Sequence, residues 1–207
     1  MRQGADADAP GGRGASAWRK VGWSPTPLHG LYSLFMRLVG EGAYRLIARD
    51  EQSGLVAFGI VAPGRLSRSG QPDSAGWRYL RKAGVRTIVN LRIEDDRARR
   101  LRDLGFRGYL HLPIPDGLPP TEEQAVAFLR FIQDPGHWPV HVHCLTGIQR
   151  SGTMVALARY AVAGWPLGEA LREARGYFLG PTRLQVRWLC RWAARHPPRE
   201  YPWPAGH

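Results

Sequence analysis

Cysteine is scarce in this sequence: Cys144 and Cys190 are the only two among 207 residues. So few exclude a disulfide-stapled secreted fold and point to a reducing, cytoplasmic setting. Lysine is equally scarce, with Lys20 and Lys82 alone, so nearly all of the 29 basic residues are arginine. Acidic residues number only 17, leaving a net charge of +12. Arginine matches planar, two-pronged anions such as carboxylate and phosphate, so an anionic ligand or surface is expected. No long apolar run exists either. The longest stretch free of Asp, Glu, Lys and Arg, residues 21–36, is broken by Pro25, Pro27 and Gly30 and falls short of a bilayer crossing. No transmembrane segment is expected, and the first 16 residues lack the basic-then-apolar order of a secretory signal.

What remains is a chain with 43% hydrophobic residues, enough for one compact domain plus an extension. Residues 1–27 carry Gly11-Gly12, Ser24-Pro25 and Pro27 without an apolar period and read as a flexible tail. Residues 28–54 read as an amphipathic helical extension, with Leu31, Phe35, Leu38, Val39, Leu46 and Ile47 on one face. That face is expected to pack on the main domain. The alternative is peripheral membrane contact through residues 28–49, using Arg37, Arg45 and Arg49. Residues 55–196 form the main domain and residues 197–207 a C-terminal tail.

Within the main domain, short apolar runs alternate with helical patterns, which predicts an α/β fold. Asp73 or Ser74 caps a helix that Gly84 ends, followed by a strand at Thr87-Ile88-Val89. A helix over 97–104 and a strand over 109–112 come next. Thr121 with Gln124 forms a capping box for a helix through Phe128 and Phe131. Val140-His141-Val142-His143 is a short buried strand that runs into Cys144, and helices are predicted over 152–163, 167–178 and 182–195.

The sharpest feature is His143-Cys144-Leu145-Thr146-Gly147-Ile148-Gln149-Arg150-Ser151-Gly152. The chance of His-Cys-x-x-Gly-x-x-Arg-Ser/Thr-Gly arising somewhere in this composition is on the order of 10⁻⁵. A loop between strand end and helix start can curl so that the amides of Leu145, Thr146, Gly147, Ile148 and Gln149 point inward. That makes a nest for a tetrahedral oxyanion at a positive helix terminus. Gly147 permits a positive φ or a close approach. Arg150 offers paired donors to two phosphate oxygens. The same dipoles favour an anionic sulfur at Cys144, placed to attack phosphorus in line with the leaving oxygen, with no metal or cofactor required. Ser151 is positioned to donate a hydrogen bond to that sulfur when it departs, and His143 to orient the loop through backbone contacts. The leaving oxygen needs a proton, and Asp116 in Pro113-Ile114-Pro115-Asp116-Gly117 is the candidate acid.

Residues 144–152, with Asp116 upstream, resemble the signature and acid loop of the cysteine-dependent tyrosine and dual-specificity phosphatases. Pro63-Gly64-Arg65-Leu66-Ser67-Arg68-Ser69-Gly70-Gln71-Pro72 and Thr87-Ile88-Val89-Asn90-Leu91-Arg92 are similar to the compact, atypical members of that superfamily. The resemblance spans roughly residues 55–195 and implies a mostly parallel central sheet between helices and hydrolysis of phosphomonoesters, on a phosphorylated protein or a small phosphate ester. Leu145, Thr146, Ile148 and Gln149 supply no lysine or histidine, a departure from the inositol-pyrophosphate subgroup.

Other readings stay open. An inositol phosphate or phosphoinositide also suits the basic surface, and a non-catalytic phosphate-binding module or a sulfurtransferase would also use an anion-binding loop. His137, His141, His143 and Cys144 are a conceivable metal set, and Asp95, Asp96 and Asp134 are rivals to Asp116. Arg97, Arg99, Arg100 and Arg102 read as a solvated helix face or as a recruiter of polyanions. Aromatics are not interleaved with them, which argues against nucleic acid. Cys190 is a conceivable redox partner of Cys144.

Overall fold

The computed structural model describes residues 18–20, 50, 53–175 and 180–204. In chain order the strands are β1 (Trp18–Lys20), β2 (Gly59–Ala62), β3 (Leu66–Ser69), β4 (Thr87–Asn90), β5 (Gly108–His111) and β6 (Val140–His143). The helices are α1 (Ser74–Lys82), α2 (Ala98–Asp103), α3 (Glu122–Gln133), α4 (Gln149–Ala161), α5 (Leu167–Arg175) and α6 (Arg183–Ala193). The strands form one six-stranded sheet in the order β1-β5-β4-β6-β3-β2. Every pairing is parallel except the antiparallel β2–β3 pair at one edge. This is the expected mostly parallel α/β sheet flanked by helices.

Local chemistry explains the elements. The Asp73 carboxylate caps α1 by accepting from the amides of Ala75 and Gly76. Thr121 with Gln124 and Thr182 with Gln185 form complete capping boxes at α3 and α6. On one side of the sheet, Leu55, Trp77, Leu80, Ile88, Leu101 and Phe106 form a core with α1 and α2. The larger core joins Val89, Leu110, Phe128, Val142, Leu157 and Trp192 among β4, β5, β6 and α3 to α6. Helix α4 is buried along nearly its whole length, polar Arg150, Ser151 and Thr153 of its first turns included, so no single stripe marks its buried face.

Three expectations need correcting. The segment 1–27, read as irregular, contains β1, whose Trp18, Arg19 and Lys20 register with Tyr109, Leu110 and His111. Edge pairing needs only backbone groups, so no apolar period announced it. The C-terminal segment, read as a tail, is held as far as residue 204. Tyr201 N–H donates to Ala161 O at 2.9 Å, and Trp203 Nε1 to Ile132 O at 3.2 Å. Residues 50, 53 and 54, expected at the end of a helix, are not helical, with Gly54 N–H on Asp50 O and Ser53 N–H on the Asp50 carboxylate. The proposed helix over 28–49 lies outside the described residues, as do residues 176–179 of the helix expected to reach Phe178.

Beneath the carboxyl edge of β3 and β6 lies a buried polar chain. Ser67 Oγ is 2.9 Å from His141 Nδ1, and Ser69 Oγ is 2.8 Å from His141 Nε2. Ser69 Oγ donates to Gly70 O at 2.6 Å. It therefore accepts from Nε2–H, which leaves Nδ1 to accept from Ser67. Burial, and then the neighbouring His143, hold His141 well below the ordinary histidine value of 6.5, so its ring stays neutral. Unfolded chain takes up a proton at this ring near pH 6.5 while the folded chain refuses it. Stability from this group is therefore complete above that pH and declines as pH falls through it. Thermal unfolding followed from pH 8 to pH 5 is expected to show a falling Tm below about pH 6.5. The fall should be smaller in His141→Gln than in the parent, and an identical pH dependence in both would contradict this assignment.

Candidate active site

Because β3, β4, β5 and β6 run parallel, their carboxyl-terminal loops emerge at one edge of the sheet, where open α/β folds bind ligands. That edge gathers Gly70-Gln71, residues 91–97, the acid loop 112–117 and the signature loop 144–148. Cys144 follows β6 directly and is 1% exposed. Its Sγ accepts the Gly147 N–H at 3.2 Å, so at least one loop amide is aimed at sulfur. Gly147 has φ +77°, and a Cβ there would stand 2.5 Å from Gly70 N and 2.6 Å from Ser69 C. A Cβ on Gly70 would lie 2.8 Å from Leu145 O. The two glycines let the end of β3 and the signature loop touch backbone to backbone.

Two contacts hold the outer side of the loop. Gln71 N–H donates to Leu145 O at 2.9 Å. The guanidinium of Arg68, almost fully buried, donates to Gly147 O and, at 3.5 Å, to Ile148 O. Leu145, Thr146 and Gln149 are partly exposed at the mouth, whereas Ile148 is buried.

Arg150 stands in the first turn of α4, buried, with Nη1 donating to Ile114 O at 3.1 Å and Nε 3.4 Å from Asp116 Oδ1. The anticipated clamp and the anticipated acid thus meet. The acid loop is braced by the two cap glutamines. Gln124 Nε2 donates to Pro113 O at 3.0 Å, and Gln185 Nε2 donates to Leu118 O at 2.9 Å, while each Oε1 accepts its own N-cap amide. Both glutamine side chains are buried and bonded at both ends, so the loop is tied to the starts of α3 and α6.

The remaining candidates sort by their contacts. The Ser151 hydroxyl is buried and donates to Ser69 O at 3.4 Å rather than standing free beside sulfur. His143 lies with Nδ1 3.4 Å from Cys144 O and Nε2 2.8 Å from Asp96 Oδ2. Burial pushes the Asp96 carboxyl up, but His143, Gln71 and Arg92 together outweigh burial and hold it below its ordinary value. Asp96 is therefore a charged partner of His143 rather than a proton donor. Asp95 accepts from Tyr109 Oη, and Asp134 accepts the Gly136 amide. His137 Nδ1 lies on Phe131 O, and both nitrogens of His141 are engaged. Among the described residues no three His, Cys, Asp or Glu side chains gather as a metal set. Arg97, Arg99, Arg100 and Arg102 are exposed. Arg97 and Arg100 line a polar cleft of about 420 Å³ together with Gln71, Arg92 and Asp96. Cys190 is exposed on α6 and Cys144 buried, both as free thiols.

Sequence reasoning missed Arg68, Gly70 and Gln71 as supports of the loop, and Asp96 as the partner of His143. One signal was present: an arginine between two serines in a strand-length segment, just ahead of Gly70, is an odd tenant for a core.

Comparison with known proteins identifies the family. Residues 62–186 match the family model described as a dual-specificity/tyrosine phosphatase fused to NAD+ kinase. A putative tyrosine-protein phosphatase OCA1 of Yarrowia lipolytica is 35% identical over 119 residues, covering 54% of this chain and 47% of that protein. This chain therefore spans about half the length of that relative, and only 10% of a probable chloroplastic NAD kinase 2 of rice. Among solved structures, Tk-PTP in its active form superposes with a TM-score of 0.56 at 30% identity, covering 67% of this chain and 97% of that one. The catalytic core of the PP-IP phosphatase SIW14 from S. cerevisiae shares the fold, with a TM-score of 0.56 at 19% identity over 68% of this chain and 93% of that one. The chain belongs to the dual-specificity-like, cysteine-dependent tyrosine phosphatase family.

Proposed function

We propose that this protein hydrolyses phosphomonoesters on phosphorylated proteins or small esters, through a phosphocysteine at Cys144. One observation carries the reading. A buried sulfur with Gly147 N–H on it opens a loop that runs into α4, whose first-turn arginine lies 3.4 Å from a carboxylate of a separate loop.

In the first step the phosphate oxygens lie on the loop amides and on the guanidinium of Arg150. The Cys144 thiolate attacks phosphorus, the P–O bond to the alcohol or phenol breaks, and Asp116 gives its proton to the departing oxygen. Binding a dianion draws Arg150 toward phosphate and loosens its hold on Asp116. In the second step the Asp116 carboxylate takes a proton from water as that water attacks phosphorus. The S–P bond breaks, inorganic phosphate leaves and the thiolate returns. Ser151 assists the sulfur at this point, giving up its long bond to Ser69 O. None of these steps calls on a metal.

Residues 55–196 are assigned as the catalytic unit, with residues 1–54 accessory. A reducing, cytoplasmic location fits a nucleophile that must stay a free thiol, and no helix among the described residues is long and apolar enough to cross a membrane. The loop mouth, with Leu145, Thr146 and Gln149, lacks cationic side chains for clustered phosphates, which favours a protein substrate over a highly phosphorylated inositol.

Turnover of p-nitrophenyl phosphate, a phosphotyrosine peptide, a phosphoserine peptide and soluble inositol phosphates tests the proposal. The peptides are expected to be the better natural-type substrates, and a clear preference for inositol phosphates would overturn the substrate assignment. Cys144→Ser should lose activity by on the order of 10⁴-fold or more. Hydrolysis at the parental rate in that variant would end the phosphocysteine reading. Asp116→Asn should slow esters of poor leaving groups by roughly 10²-fold while affecting p-nitrophenyl phosphate far less, because nitrophenolate departs without a proton. Equal loss on both substrates would move the acid elsewhere.

A further inference from the structure

Arg68 has no place in the two chemical steps, yet it is a guanidinium with 1% exposure on a strand paired on both sides. Burying such a group is costly unless its donors are used, so its partners report what it is for. It lies on β3 between Ser67 and Ser69, which turn to the opposite face and meet His141. Arg68 therefore faces the signature loop, where it donates to Gly147 O and Ile148 O.

The peptide unit is planar and trans, so its C=O and N–H point in opposite directions. Fixing Gly147 O outward against Arg68 turns the N–H of Ile148 inward, toward the space that a tetrahedral anion would fill. The Leu145–Thr146 peptide is oriented in the same way by another donor, the backbone N–H of Gln71 on Leu145 O. The outer carbonyls of the loop are thus held by β3 and its extension, one of them by a side chain. A neutral or shorter side chain at 68 would leave the Gly147–Ile148 peptide free to rotate, and Gly147, at φ +77°, has the freedom to do so.

We propose that Arg68 is a positioning residue of this active site: by gripping Gly147 O it presets the Ile148 amide as a phosphoryl-oxygen donor before substrate arrives. The inference rests on the loop being the phosphate site. It assigns Arg68 no contact with substrate, only control of a donor that does make contact.

The test uses the full chain, labelled with ¹⁵N, and inorganic phosphate as the probe. Parent, Arg68→Lys and Arg68→Gln are compared by phosphate titration of the backbone amides, by kcat and KM for p-nitrophenyl phosphate, and by Tm. In the parent, phosphate should shift the Thr146, Gly147 and Ile148 amides. In Arg68→Gln the Ile148 response should be lost while that of Thr146, set by Gln71, persists. Phosphate should bind about tenfold more weakly and kcat/KM should fall by roughly 10²-fold. Arg68→Lys, which keeps the charge but not the fork, should fall between the two. An unchanged Ile148 response and unchanged phosphate affinity in Arg68→Gln would overturn the proposal. So would uniform loss of all loop responses, or failure of both variants to fold, since either marks a purely structural role. No amide response in the parent would instead remove the phosphate-site reading itself.

Discussion

A loop that turns its amides toward an anion must turn its carbonyls somewhere else, and buried carbonyls need donors. That constraint shapes this active site. The outward carbonyls of residues 144–148 are met by β3 and the two residues that follow it. Gln71 takes Leu145 O, Arg68 takes Gly147 O, and Gly70 and Gly147 approach closely enough that neither tolerates a Cβ. The hairpin edge of the sheet is thereby the mould in which the loop after β6 is cast. The buried Ser67–His141–Ser69 chain fixes the other side of the same strand, so β3 is pinned on both faces.

Topology does the rest of the positioning. Parallel strands deliver their following loops to one edge, and the middle of the sheet, where β4 and β6 adjoin, is where His143 and Cys144 emerge. The acid arrives from β5, whose loop is held from two directions by Gln124 and Gln185. Each glutamine completes a capping box with one end and secures the acid loop with the other. The starts of α3 and α6 therefore hold the loop that carries Asp116, and Arg150, in the first turn of α4, touches that loop at Ile114 O and Asp116. Because each element packs on the large core around α4, displacement of one bracing residue is felt at the site through a close-packed interior.

The candidate residues of the signature loop were legible in the sequence because their spacing is local. Cys144, Gly147 and Arg150 lie within one loop and one helical turn, and the cap signals at Asp73, Thr121 and Thr182 are read over three or four residues. Asp116 was legible only as a turn aspartate between a strand and a capped helix. Its meeting with Arg150 is a fact of tertiary structure. What escaped reading was nonlocal. Strands β2 and β3 are four residues each, and β3 holds an arginine where a core strand should be apolar, so periodicity misses it. Asp96 sat in an acidic cluster that reads as solvated surface until His143 is seen against it. Strand β1 pairs through its backbone, and residues 197–204 are held by backbone groups and a single aromatic side chain, which leave no repeating pattern.

The central claim, that Cys144 takes the phosphoryl group onto sulfur, is met most directly by trapping the intermediate. Acid quench of the full chain during turnover of p-nitrophenyl phosphate, followed by peptide mass spectrometry, is predicted to find the phosphoryl group on the peptide containing Cys144, enriched in Asp116→Asn, where the second step lacks its base. Steady turnover with that cysteine never modified, in the parent or the variant, would contradict the account.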